Sequence, residues 1–149
     1  MKDSIEHVIC EGATLAIIVR AGFRDKGIRF FTPGDYSQQL AFMRRAKGHE
    51  IEPHSHNLVD RTVQQTQEVL FMRKGRLRVD FYSDDHVCTE SRILEAGDVI
   101  LLASGAHGFH ALEEIEMFEV KQGPYAGDQD KTRFVPVIAG RGEDGVSRG

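Results

Sequence analysis

Gly48-His-Glu-Ile-Glu-Pro-His54-Ser-His56, then eleven residues, then Glu68-Val-Leu-Phe-Met-Arg-Lys-Gly75: on this stretch the reading of the fold turns. His54 and His56 are two apart, so on an extended strand both imidazoles project from one face and Ser55 from the other. Where Glu68 points follows from the pattern of residues 66–82. Lys74-Gly75 reads as the tip of a two-residue hairpin, with Gly75 supplying a positive φ. In that register Arg73 faces Arg76, Met72 faces Leu77, Leu70 faces Val79 and Glu68 faces Phe81. Side-chain alternation then gathers Glu68, Leu70, Met72, Leu77, Val79 and Phe81 on one face and Arg73, Arg76, Arg78 and Asp80 on the other. Glu68 is therefore expected on the core side, where a carboxylate needs a partner. Two histidines converging on one carboxylate form a facial donor set that suits iron, manganese, nickel or zinc, so His54, His56 and Glu68 are the expected ligands of a divalent transition metal.

Gly48, five residues, His54-x-His56, a spacer, Glu68, six residues and Gly75 resemble the first sequence motif of the cupins. Gly97-Asp-Val-Ile-Leu-Leu-Ala-Ser-Gly105-Ala-His107-Gly-Phe resembles the second. The likeness spans residues 37–122 and departs from the family in two places. The spacer before Glu68 is longer than usual, and Ala103 stands where a proline is usual, with one residue missing before His107. The resemblance implies an all-β fold, the cupin double-stranded β-helix or jelly-roll barrel, closed around a small-molecule cavity. It also implies His107 as a fourth metal ligand, and the shortened turn keeps His110 as the alternative. Glu119-Val-Lys-Gln-Gly-Pro-Tyr125, with Asp130-Lys131 and Arg133-Phe134, is similar to the C-terminal signature of small single-domain cupins associated with bacterial surface-polysaccharide genes. That likeness implies a sugar or nucleotide-sugar substrate.

The bulk properties set the frame. With 149 residues, 40% hydrophobic and 28% charged, the chain fits one domain, residues 1–140, with a core of its own and a disordered tail over 141–149. A net charge of −4 offers no general attraction for nucleic acid or an anionic membrane, so neither is an expected partner. The two cysteines, Cys10 and Cys88, lack Cys-x-x-Cys spacing and read as buried reduced thiols, which favours the cytoplasm. No stretch near Met1 has the apolar core of a signal peptide, and the run Leu15 to Val19 is too short to span a bilayer.

In chain order, residues 13–20 read as a strand buried on both faces or resting on a partner subunit. Ile28 to Phe31 reads as a short strand, and residues 36–47 as a strand or a short helix. Asn57 to Gln65 is a polar loop whose one cation is Arg61, placed to act as a lid or as a solvated insertion. After the hairpin come strands over 86–94, 99–102, 107–112 and 115–121. His107, Phe109 and Ala111 share one face of their strand, and Gly108, His110 and Leu112 share the other. Short strands with Gly- and Asp-rich turns and no long helix indicate a sandwich or barrel. His7 and His86 read as surface histidines, and His49 as a surface residue or a support behind the metal ligands.

Two function classes remain. In the first, a metal-dependent isomerase, epimerase or oxygenase holds its ion with His54, His56, Glu68 and His107, Glu68 also carries a proton, and a small polar metabolite meets Arg61, Lys121, Tyr125, Lys131 and Arg133. In the second, the same barrel senses or carries a ligand without chemistry, with or without metal. Val69 and Phe71 on the outer side of the hairpin call for a cover by another subunit or by the N-terminal strands, and a homodimer is expected.

Overall fold

The computed structural model describes residues 4–86 and 88–136. The expected tail over 141–149 and the side chain of Cys88 lie outside the described residues. Ten strands follow in order: β1 (Ile5–Cys10), β2 (Ala13–Val19), β3 (Gly27–Phe30), β4 (Ala41–Arg44), β5 (Glu68–Lys74), β6 (Arg76–Tyr82), β7 (Cys88–Glu95), β8 (Val99–Leu102), β9 (Ala106–Ala111) and β10 (Glu116–Lys121). A 3-10 turn at Gly127–Asp130 is the only helical element among the described residues. None is a helix long and apolar enough to cross a membrane.

The strands form antiparallel sheets: a five-stranded sheet in the order β1-β2-β8-β5-β10, a three-stranded sheet β7-β6-β9 and the β3–β4 pair. The two larger sheets face each other. Val8, Leu15, Ala16, Ile18, Leu70, Met72, Ile100 and Leu102 from the first meet Leu77, Val79, Phe81 and Leu94 from the second in one apolar cluster. The fold is thus all-β, and the described strands form separate sheets rather than a closed barrel. β2 carries the predicted double burial, with Leu15 through Val19 all inside. Cys10, expected to be buried, is a half-buried free thiol packed against this cluster.

One pairing departs from the sequence reading. β5 and β6 do not form a hairpin: β5 pairs with β8 and β10, while β6 pairs with β7 and β9. Gly75, at φ 84°, is a corner between two sheets. A Cβ built there would stand 2.1 Å from the Glu114 carbonyl oxygen, so the chain passes where only glycine fits. The predicted faces nevertheless hold, because both sheets turn their apolar sides to the same core. Glu68, Leu70, Met72, Leu77, Val79 and Phe81 are all buried.

Smaller ties fix the rest. Phe23 meets Phe31 and Phe42 edge to face, each at 5.2 Å between ring centroids, which seats the β3–β4 pair. The residue 36–47 stretch keeps only β4 as strand. The buried Asp98 carboxylate accepts hydrogen bonds from Arg20 Nη1 at 2.9 Å and from the backbone N–H of Ala21 at 2.9 Å and Glu95 at 2.8 Å. It joins the turn after β2 to the β7–β8 turn at one end of the sandwich.

Candidate functional site

Glu68 opens β5 and points inward, and only 7% of its surface remains exposed. In β10 the residue directly opposite is Lys121, and Glu119 lies opposite Leu70, so both project to the same inner side. From the other sheet β9 brings His107 opposite Phe81, which is buried, and the imidazole Nε2 lies 3.5 Å from Glu68 Oε2. A carboxylate of one sheet and an imidazole of the other thus meet across the interior. The hydrogen bond with His107 holds the Glu68 carboxyl below the usual carboxylate range, against burial, which pushes it up; Glu119 and Lys121 add to the lowering. Glu68 is ionised at neutral pH.

The pair lies in the wall of a cleft of about 790 Å³, whose other residues include Tyr82, Glu119, Lys131, Arg133 and Phe134. The last of these pins the chain that borders the cleft. The Phe134 ring stacks on His86 at 3.9 Å between centroids and 8° between planes, and meets Tyr82 edge to face at 5.3 Å. Gln67, buried beside Glu68, accepts hydrogen bonds from Ser37 Oγ at 3.2 Å and Gln38 N at 3.1 Å, so the turn before β4 is fastened to the base of the site. A second cleft of about 980 Å³ adjoins the first, sharing Gln64, Gln65, Thr66 and Asp130, and contains Arg61, Lys121 and Tyr125. Lys121 is 3.7 Å from the Asp130 carboxylate, which also accepts a hydrogen bond from Thr66 Oγ1.

Five residues singled out as substrate contacts therefore border two joined clefts: Arg61, Lys121 and Tyr125 the larger, Lys131 and Arg133 the one that holds Glu68 and His107. Between the two histidines of β9 the register is unambiguous. His110 pairs with Arg78 on the outer face, and His107 faces in. The metal set divides. His54 and His56 lie on an exposed, strandless segment, their rings 5.2 Å apart and His54 Nδ1 2.9 Å from the carbonyl oxygen of Glu52. Among the described residues no three His, Cys, Asp or Glu side chains are grouped so as to hold a metal ion. Of the four expected ligands the structure brings Glu68 and His107 together, and among the described residues His54 and His56 are not grouped with them. Glu119, Tyr82 and Phe134 were not among the site residues singled out from the sequence. Alternation along residues 116–121 carries the inward direction of Glu119, but nothing in the sequence states that β10 is the neighbour of β5.

Comparison of this chain with known protein families, curated proteins and solved structures returns no match. Its class rests on its own residues.

Proposed function

We propose that this protein is a cupin-type enzyme that takes a small polar metabolite, of the sugar or nucleotide-sugar kind, into the joined clefts and moves a proton on it. The observation that carries this is the Glu68–His107 pair: an ionised, buried carboxylate touching an imidazole in the wall of a cleft with cations at its rim. Glu68 accepts the proton from a carbon next to a carbonyl, His107 donates to the oxygen that gains charge, and reversal of both steps at the neighbouring carbon or opposite face gives the isomer or epimer. Arg61, Lys131 and Arg133 hold the anionic end of the substrate. The cytoplasm, where activated sugars are made, is the compartment that suits this reading.

A non-catalytic binder is the second reading, favoured by the fact that Glu68 and His107 already satisfy each other and that Phe134 borders the cleft as a fixed aromatic wall. One experiment separates the two. The protein is titrated with a panel of sugar phosphates and nucleotide-sugars by NMR in deuterated water, beside Glu68→Gln. Binding with deuterium incorporated into the sugar by the native protein, and binding without incorporation by Glu68→Gln, is the enzyme result. Binding without exchange in both is the binder result. Sugars that leave the signals of β5 and β9 unmoved overturn both readings.

A further inference from the structure

The wall of the Glu68–His107 cleft is of two kinds. Part of it is sheet, with Glu68 on β5, Tyr82 on β6, His107 on β9 and Glu119 on β10. Another part is the segment after the 3-10 turn, where Lys131, Thr132, Arg133, Phe134 and Pro136 belong to no strand. Residues 132–136 make no backbone hydrogen bond among the described residues. Such a segment is held by its ends and by whatever its side chains grip.

At its start the grip is polar. Asp130 closes the 3-10 turn, accepts a hydrogen bond from Thr66 Oγ1 and lies 3.7 Å from Lys121 Nζ, and the Lys131 N–H donates to Asp128 O at 3.4 Å. Farther along, the grip is one side chain. Phe134 is half-buried between the exposed Arg133 and Val135, with its ring flat on His86 and edge-on to Tyr82. Tyr82 is buried, so one side of this clamp is fixed to the body. His86 supplies the other side from a left-handed backbone, φ 64°, with its N–H on Ser83 O at 2.9 Å. A residue other than glycine keeps that conformation only where its surroundings hold it. The sequence reads His86 as a surface histidine; its ring is instead one jaw of the clamp.

Between the two grips stand two cations that border the cleft. Among the described residues no ion pair holds the Lys131 ammonium or the Arg133 guanidinium, whereas Glu68 is met by His107, and Asp130 by Lys121 and Thr66. An ammonium and a guanidinium side by side are a donor set for a phosphate group, provided that the backbone bearing them keeps its place.

We propose that Phe134 is a positioning residue for ligand binding: clamped by His86 and Tyr82, it holds Lys131 and Arg133 at the wall of the cleft, where they take a phosphate group of the ligand. The inference rests on the reading of this cleft as the ligand site, and adds to it the group bound there and the residue that places its partners. Phe134 acts through the two cations. Without its ring they keep their charge and lose their fixed place, so the cost of ordering them falls on binding.

Glucose 1-phosphate and inorganic pyrophosphate are titrated, at fixed pH and salt, into the native protein, Phe134→Ala, Phe134→Tyr, Lys131→Ala/Arg133→Ala and the triple variant, with NMR as the readout. The native protein is expected to bind at least one of the two and to shift the signals of residues 131–133. Removing both cations should weaken that binding about tenfold or more and Phe134→Ala about threefold to tenfold, while Phe134→Tyr stays near native. In the background without the cations, Phe134→Ala should change affinity by less than about twofold, because the two losses are then one. The clamp itself is read without ligand. The His86 ring protons, lying on the face of Phe134, should stand upfield in the native protein and move back in Phe134→Ala.

His86 ring signals that are the same in both proteins overturn the clamp. A native protein that binds neither anion, a Phe134→Ala that binds as the native does, or an equal loss with and without the cations each overturns the positioning role. None of these readouts involves proton exchange on a sugar. A failed deuterium test therefore leaves this result standing, and a failure here leaves that test intact.

Discussion

Glycine at position 75 separates two effects that a substitution normally mixes. Gly75→Ala has to bear a left-handed φ and to push the Glu114 carbonyl away from a Cβ only 2.1 Å distant, whereas Gly12, at φ 78°, has open space around it. Gly12→Ala is expected to cost about 1 kcal/mol, and Gly75→Ala at least about 2 kcal/mol, in the unfolding free energy read from denaturant midpoints. Equal costs would mean that the corner relaxes freely. Residue-level direction was the most legible property of this sequence. The alternation of Glu68, Leu70, Met72 and then Leu77, Val79, Phe81 put six side chains on the right side before any strand partner was known, because the period of two depends only on extended backbone. The same logic put His107 and His110 on opposite faces of their strand; it did not say which face is the inner one, and the register with β6 turns His107 inward.

Pairing was less legible at the scale of elements. Lys74-Gly75 has the residues of a tight hairpin turn, and a positive φ is needed there, yet the same conformation serves a corner that sends β6 to the opposite sheet. Local sequence states the angle of the turn; it does not state that Glu114, thirty-nine residues on, brings its carbonyl into the space beside Gly75. The β8 end of the sandwich is likewise built from afar, since Asp98 binds Arg20, Ala21 and Glu95 together. Asp98→Ala leaves two backbone donors without their acceptor and the Arg20 guanidinium with Glu6 and the Ile93 carbonyl alone, and about 3 kcal/mol of stability is expected to go. Asp98→Asn keeps one acceptor and should lose less. Thermal melts of the two, read against Met72→Ala, which leaves a cavity at a fully buried position and is expected to cost about 2–5 kcal/mol, rank the tie against the core. Equal stability of Asp98→Ala and the native protein would show the tie to be dispensable.

At the scale of the whole molecule, the sequence reading set the histidine pair and the carboxylate in one group, and among the described residues the structure brings together Glu68 and His107. Two histidines two apart say how their rings are disposed, and nothing about which body the strand that bears them adds to. The sheet assignment has one more consequence, for how the chain reaches this state. From β5 onward the strands go to the five-stranded sheet, twice to the three-stranded one, back, across and back again. Only β6 and β7 can zip as neighbours; every other pairing in this half waits for a loop to close across the core. Refolding should therefore run on the milliseconds-to-seconds scale of β-sandwiches, with a nucleus that starts at β6–β7, and a peptide of residues 66–84 should remain unstructured in water although its sequence reads as a hairpin.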